Sequence, residues 1–344
     1  MYNMKHINIL FCTLWILSMF SCKRESEPIK HYDALSKVKD VKENIHEIDF
    51  EDVEISTFGR SFILNDYLII SDYKSFDKLI YIFDKNTFKY LTSVGDRGQG
   101  PSEIANMGSV IPDEEHNSFY VIDHGHQLLY NFPMDSILAN PNYLPRKKAD
   151  IDPAEFPSKI QYVSDTLSYA LYMHVLNPGD YKPMVGKWNM LTGKKDFMEY
   201  TGHPEIERKR VSFAASVENN LYVEAYWYHD LITICSLDGK LKYTLYGEKW
   251  DNRKSNKNGY YSDIAFCKDK LIMEYLGDAR FKNDESTSIN PTKLIVFDLE
   301  GNHLKTLETG YSISNFSYDK ENNRLIIVFD DEIQFGYLNL DTVL

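Results

Sequence analysis

One self-similar unit recurs six times along the chain, and it constrains the fold more than any other feature. Each copy is a polar turn rich in Asn, Asp and Lys, followed by a strand-like run that begins with an apolar residue. The clearest copies are Asn65-Asp66-Tyr67-Leu68-Ile69-Ile70, Asn219-Asn220-Leu221-Tyr222-Val223 and Asn323-Arg324-Leu325-Ile326-Ile327. With Leu68, Phe119, Leu167, Leu221, Leu271 and Leu325 as markers, the spacings are 51, 48, 54, 50 and 54 residues. A period of that length marks an architecture in which each unit buries its apolar face against its neighbours.

Each unit reads as four short strands. A second run follows the marker, as in Leu79–Asp84, Leu231–Leu237 and Leu294–Leu299, and often ends in a turn. Asp238-Gly239 and Glu300-Gly301 are hairpin signals. A third run departs from the turn, and another apolar stretch precedes each marker. Six four-stranded antiparallel units predict an all-β, six-bladed β-propeller. The sixth unit lacks an outermost strand, because the chain ends soon after 333–340. The segment 45–55 has strand character and no blade of its own. It is expected to pair with 333–340, closing the ring and covering a sheet edge.

Composition agrees. Aromatic residues favour strands, and the chain holds 25 Tyr and 19 Phe. Acidic residues outnumber basic ones by 51 to 38, a net charge of −13. That argues against a nucleic-acid partner, whose binding rests on phosphate neutralisation. A mean hydropathy of −0.41 argues against a multi-span membrane protein.

The first residues read as an address. An apolar run from Ile7 to Phe20 is short for a transmembrane helix and fits the core of a secretory signal peptide. It ends in Ser21-Cys22, which resembles a bacterial lipobox. The expected division is a signal peptide over 1–21, a lipidated tether over 22–44 and the propeller over 45–344. Cys22 is the lipidation site in this reading. The membrane is then a partner through the anchor, and the protein is an outer-membrane lipoprotein facing the periplasm or the cell surface. Cys235 and Cys267 sit in apolar patterns and are expected as buried thiols.

The segment Val94-Gly95-Asp96-Arg97-Gly98-Gln99-Gly100-Pro101-Ser102-Glu103 resembles the G-x-x-G-x-G-P-x-E signature of TolB-like, six-bladed propeller lipoproteins of Bacteroides and relatives. NHL-type propellers are related and mostly serve as recognition platforms. The resemblance implies a fold and a cell-envelope location. The loop is not a dinucleotide cradle, because Pro101 and a strand follow it rather than a helix. It reads as an inter-blade crossing with glycines at positive φ.

In a propeller, the turns between second and third strands share one face with the inter-blade crossings. That face is expected to gather Asp72, Asp123, His124, His126, His174, Trp227, His229, Arg280 and Asp330, with Arg97, Arg146 and Arg210 from crossings. The insertion 277–291 should overhang it. Mixed aromatic, acidic and imidazole groups around a funnel suit a polar ligand; a solvated rim without a ligand is the alternative. The leading reading is a non-catalytic module for an envelope protein, a peptide or a glycan, with no cofactor. The rival is a metal-dependent, lactonase-like hydrolase or lyase, with a divalent metal held in the funnel. His124 and His126 have the spacing of a metal pair, although no metal site is assigned. The discriminator is whether three or more ligating groups converge on one point.

Overall fold

The computed structural model describes residues 28–50, 53–282 and 287–344. Six antiparallel sheets succeed one another along the chain. They span residues 59–96, 107–150, 155–197, 211–247, 258–308 and 313–339, here blades 1 to 6. Their innermost strands are Gly59–Leu64, Met107–Asp113, Glu155–Ser164, Val211–Ser216, Asn258–Cys267 and Ile313–Asp319, and each lies beside the next around a central axis. The expected all-β, six-bladed propeller is the observed architecture.

The polar turn has a backbone reason in five of the six repeats. Asn65, Asn117, Asn220 and Asn323 lie at φ of 44–53°, and Lys268 at 53°. Asn tolerates this left-handed region better than most residues. Gly179, Gly193, Gly239 and Gly301 supply positive φ in glycine-containing hairpins.

The markers themselves need a correction of register. Leu68, Phe119, Leu271 and Leu325 pack towards the preceding blade, whereas Leu221 packs towards the following one and Leu167 packs in the same sense. Copies three and four were therefore aligned one residue early; their counterparts are Ser168 and Tyr222. In a strand, a one-residue slip exchanges the two faces.

Ring closure occurs as expected, over a shorter stretch. Ile45–Glu47 pairs antiparallel with Phe335–Asn339, with Ile45 opposite Leu338. The preceding segment differs from the tether read in the sequence. Ile29–Tyr32 adds in parallel to the outer strand Leu241–Gly247 of blade 4, and Val38–Asp40 adds in parallel to His303–Glu308 of blade 5. Both blades become five-stranded. Sparse apolar residues hold this strap: Tyr32 and Ala34 join the core between blades 4 and 5, and Val41 is fully buried between blades 5 and 6. A fully buried valine such as Val41 contributes about 1.5–3 kcal/mol, and the Ala34 methyl less. Cys22 and the signal segment lie outside the described residues. Among the described residues, no helix is long and apolar enough to cross a membrane. Cys235 and Cys267 are buried and form no disulfide.

Candidate functional site

The face expected to carry a ligand is sewn together by main-chain bonds between turns and crossings. The amides of His124, Trp227 and Asp330 donate to the carbonyls of Asn106, Arg210 and Ser312 at 2.8–2.9 Å. Several of the expected site residues belong to this stitching. Asp72 is buried and accepts from the Ser56 amide, the Ser56 hydroxyl and the Lys74 amide at 2.7–2.9 Å. Asp123 accepts from the amides of Ala105, Asn106 and Gly125 and lies 2.7 Å from His126 Nδ1. Burial works against the Asp123 charge, but those amides and His126 outweigh it and hold the carboxyl below its usual range. The same bond to Asp123 raises the His126 pKa. Arg97 donates to the carbonyls of Lys74 and Ser75, and His174 lies 3.2 Å from Glu155. His229 is buried, with Nδ1 3.1 Å from the Asp251 carbonyl. Burial lowers the pKa of His124, whose ring meets Phe156 edge-on at 5.3 Å. Arg146 opens the outer strand of blade 2 opposite Asn131, at the other face.

The glycine-rich loop is a crossing, and its glycines have a different purpose from the one expected. Only Gly95 among Gly95, Gly98 and Gly100 has positive φ. Glu103 folds back so that its carboxylate accepts from the Gly100 amide at 2.7 Å. A Cβ on Gly98 would lie 1.9 Å from Glu103 Oε2. The loop is thus wrapped around its own glutamate.

A polar belt crosses the axis beneath this face. Lys159 Nζ of blade 3 donates to Asp263 Oδ1 of blade 5 at 2.7 Å. Asp263 Oδ2 accepts from Asn315 Nδ2 of blade 6, and Asn315 Oδ1 accepts from the Ser61 amide of blade 1, both at 2.8 Å.

Beside the belt, between blades 4, 5 and 6, lies a cleft of about 300 Å³. Trp227, Tyr228, Tyr260, Leu276, Ile289 and Pro291 supply its largely apolar wall. Trp227 is 37% exposed, and its indole N–H is fixed by Ser212 Oγ at 2.8 Å. Arg280 stands over the rings of Tyr228 and Phe281 at 4.8 and 4.9 Å and donates to the Asn256 carbonyl. It forms no ion pair among the described residues. The described flanks of the insertion pair antiparallel here through Phe281 and Ser288; the Ile289 amide donates to the Arg280 carbonyl, and Asn290 donates to Asp330 at 3.3 Å. Of the expected residues, then, Trp227 and Arg280 share a cleft with Asp330 at its edge, Arg210 and His229 line a neighbouring cleft, and Asp123 bonds to His126, while the remaining ones are dispersed.

Glu274 also lines this cleft, and the sequence reading missed it. It is 1% exposed. Ser262 Oγ lies 2.5 Å from its Oε2, while Oε1 has no hydrogen-bond partner. Burial first, then the charge of Asp263, pushes its pKa up to about 8, against the opposing Ser262 bond and the Lys159 and Arg60 charges. The usable signal was a lone acid inside the apolar run Leu271-Ile272-Met273-Glu274-Tyr275-Leu276.

Two wider clefts, of about 580 and 470 Å³, flank the crossing 205–208. Their rims mix Glu205 and Glu207 with Arg208 and Lys254, and Lys254 is already paired with Glu207 in solvent. No group of three or more His, Cys, Asp or Glu side chains converges as a metal site among the described residues.

Residues 49–226 match the profile of DUF5128, described as a 6-bladed beta-propeller. No curated protein matches the sequence. Among solved structures, a DUF4221 protein from Bacteroides vulgatus superposes with a TM-score of 0.59 at 12% identity, covering 85% of this chain and 94% of that one. A luciferin-regenerating enzyme gives 0.54 at 9% identity with the same coverages. A Bacteroides fragilis protein provisionally described as exported gives 0.53 at 12% identity, covering 88% of each chain. At these identities the likeness is one of fold.

Proposed function

The chain belongs to the DUF5128 family of six-bladed β-propellers, and from that premise we propose that it is an exported, lipid-anchored recognition module. Its ligand binds on the face that carries Trp227 and is held without chemical conversion. The observation that carries this reading is the indole of Trp227, locked by Ser212 and open over an apolar cleft. A fixed aromatic platform loses little side-chain entropy on binding and can contribute a few kcal/mol. The rival metal-dependent hydrolase requires carboxylate, amide or His groups that converge on one point of the funnel. A lipobox-like Ser21-Cys22 and a Bacteroides neighbour described as exported support the location.

The strap adds an orientation. Ile29–Tyr32 runs towards the ligand face, so Pro28 enters from the opposite side of blade 4. A chain from Cys22 to Pro28 reaches about 20 Å at full extension. An anchor at Cys22 would therefore hold the opposite side near the membrane and leave the ligand face open. Cys22→Ser should release the protein from the membrane fraction, and retention of that variant without lipid on the wild type refutes the anchor. For the face, wild-type protein is screened on peptide and glycan arrays. Trp227→Ala should weaken any hit about tenfold, some 1.4 kcal/mol. Unchanged affinity, with loss instead from changes at Asn219 or Asn322, places the site on the other face.

A further inference from the structure

We propose that the cleft between blades 4, 5 and 6 is a site for a small monocarboxylate with a flat apolar body, its carboxylate held by Arg280 and a second oxygen or nitrogen acceptor by Glu274. The proposal rests on the recognition reading above and names its ligand class.

Three observations converge. Arg280 is a cation without an acidic partner among the described residues. Its guanidinium is held in place by two aromatic rings and the Asn256 carbonyl. A guanidinium presents a planar fork that matches a carboxylate. Glu274 is the acid lining the cleft, and it is buried with one oxygen unused. An unsatisfied buried oxygen is destabilising unless a partner arrives, so an incoming group that bonds to it is favoured. Between these polar ends lie Trp227, Leu276, Ile289 and Pro291, which suit a ring or a short branched chain. The volume is at the small end of the range for small-molecule sites.

The protonation state of Glu274 decides whether an anion is welcome. The charged groups that face it are Asp263, Lys159 and Arg60, and Ser262 bonds to it. The acid form can donate to the ligand. The ionised form would repel a carboxylate, so affinity should fall as pH rises past the Glu274 transition.

The test is calorimetric titration of the full-length protein, with the lipid site replaced by Cys22→Ser, against 3-pyridylacetate, whose ring nitrogen is the second acceptor, 3-pyridylacetamide and methyl β-D-glucopyranoside. 3-Pyridylacetate should bind, and the amide should bind at least about tenfold more weakly. Arg280→Met and Glu274→Leu should each cost about tenfold or more for 3-pyridylacetate, with unchanged melting of Arg280→Met as the control for folding. Glu274→Gln keeps a donor, so it should bind within about threefold at pH 7 and remove the loss of affinity between pH 7 and 9. No binding of 3-pyridylacetate, equal binding of acid and amide, or an affinity indifferent to Arg280→Met, overturns the proposal. If the glucoside alone binds and Trp227→Ala abolishes it, the carboxylate assignment falls while the recognition face stands. If a probe binds with no sensitivity to Trp227→Ala, both fall.

Discussion

Blades 4 and 5 each bury a glutamate in the second strand, and the two are treated in opposite ways. Glu224 faces blade 3 and forms a buried ion pair with Lys209 from the crossing that leads into its own blade. Glu274, in the next blade, faces blade 6 and meets only a serine hydroxyl. The two are one register position apart, and that single step sends them to opposite sides of their sheets. A buried acid next to a cation is part of the fold. Glu274, at a cleft and with no ion-pair partner among the described residues, departs from that pattern, and departures of this kind concentrate at functional sites.

The largest test of this contrast is removal of each acid. Glu224→Gln leaves the Lys209 ammonium buried without its counter-charge, and such breaks cost about 3–5 kcal/mol. Urea unfolding at pH 7 should show a loss of that size. Adding Lys209→Met should recover a large part of it, because the two sites are coupled. A loss below about 1 kcal/mol for Glu224→Gln would show the pair to be a bystander.

Glu274→Gln should behave differently in size and in sign. Its folded pKa is raised to about 8, so the folded state holds the proton more tightly than the unfolded chain. The stability this confers is complete below the ordinary Glu pKa and is lost as pH rises towards about 8. Gln carries no such linkage. The stability of Glu274→Gln relative to wild type should therefore climb between pH 5 and pH 8.5 and level off above. A flat difference across that range would mean that Glu274 is ionised throughout.

How far this contrast was legible without coordinates depended on register. The blades, their number and the closure by Ile45–Glu47 follow from periodicity, because strand pairing repeats at fixed distance. The direction in which each side chain points does not follow, since Leu167 and Leu221 align in sequence with residues that face the other way. Glu274 becomes visible only when Ser262 is brought across by an irregular stretch between Tyr261 and Ile264, and Arg280 by an insertion. The acids on the face expected to carry a ligand misled for a related reason. Asp72 and Asp123 look like ligand contacts in sequence, but main-chain amides, which no side-chain pattern encodes, take up their carboxylates. The strap was hidden because Tyr32, Ala34 and Val41 are few apolar residues in a charged stretch.

The smallest effect concerns the seam where the strap meets blades 4 and 5. Asp230 is buried there and accepts from the hydroxyls of Tyr32 and Tyr261 at 2.9 and 2.8 Å and from the Lys249 amide at 3.2 Å. Burial raises its pKa to about 6 in spite of the Lys249 and Tyr275 bonds. Asp123 on blade 2, held by three amides, shifts the other way, so the donor set decides the sign. Tyr32→Phe removes one donor from Asp230 and leaves the ring packed edge-on against Phe297 at 5.0 Å. The cost should be about 1 kcal/mol. Because the strap is an added fifth strand, the loss should be local: faster amide exchange over Ile29–Tyr32 and its partners Thr244–Gly247, with blade 2 unchanged. The effect should also depend on pH. Above about pH 6 Asp230 is ionised, and a bond to a charged acceptor is roughly twice as strong as one to a neutral one. Exchange should therefore separate Tyr32→Phe from wild type more at pH 7.5 than at pH 5. Equal separation at both values would mean that Asp230 keeps one protonation state throughout, and no separation at either that the Tyr32 hydroxyl adds nothing to the strap's main-chain pairing.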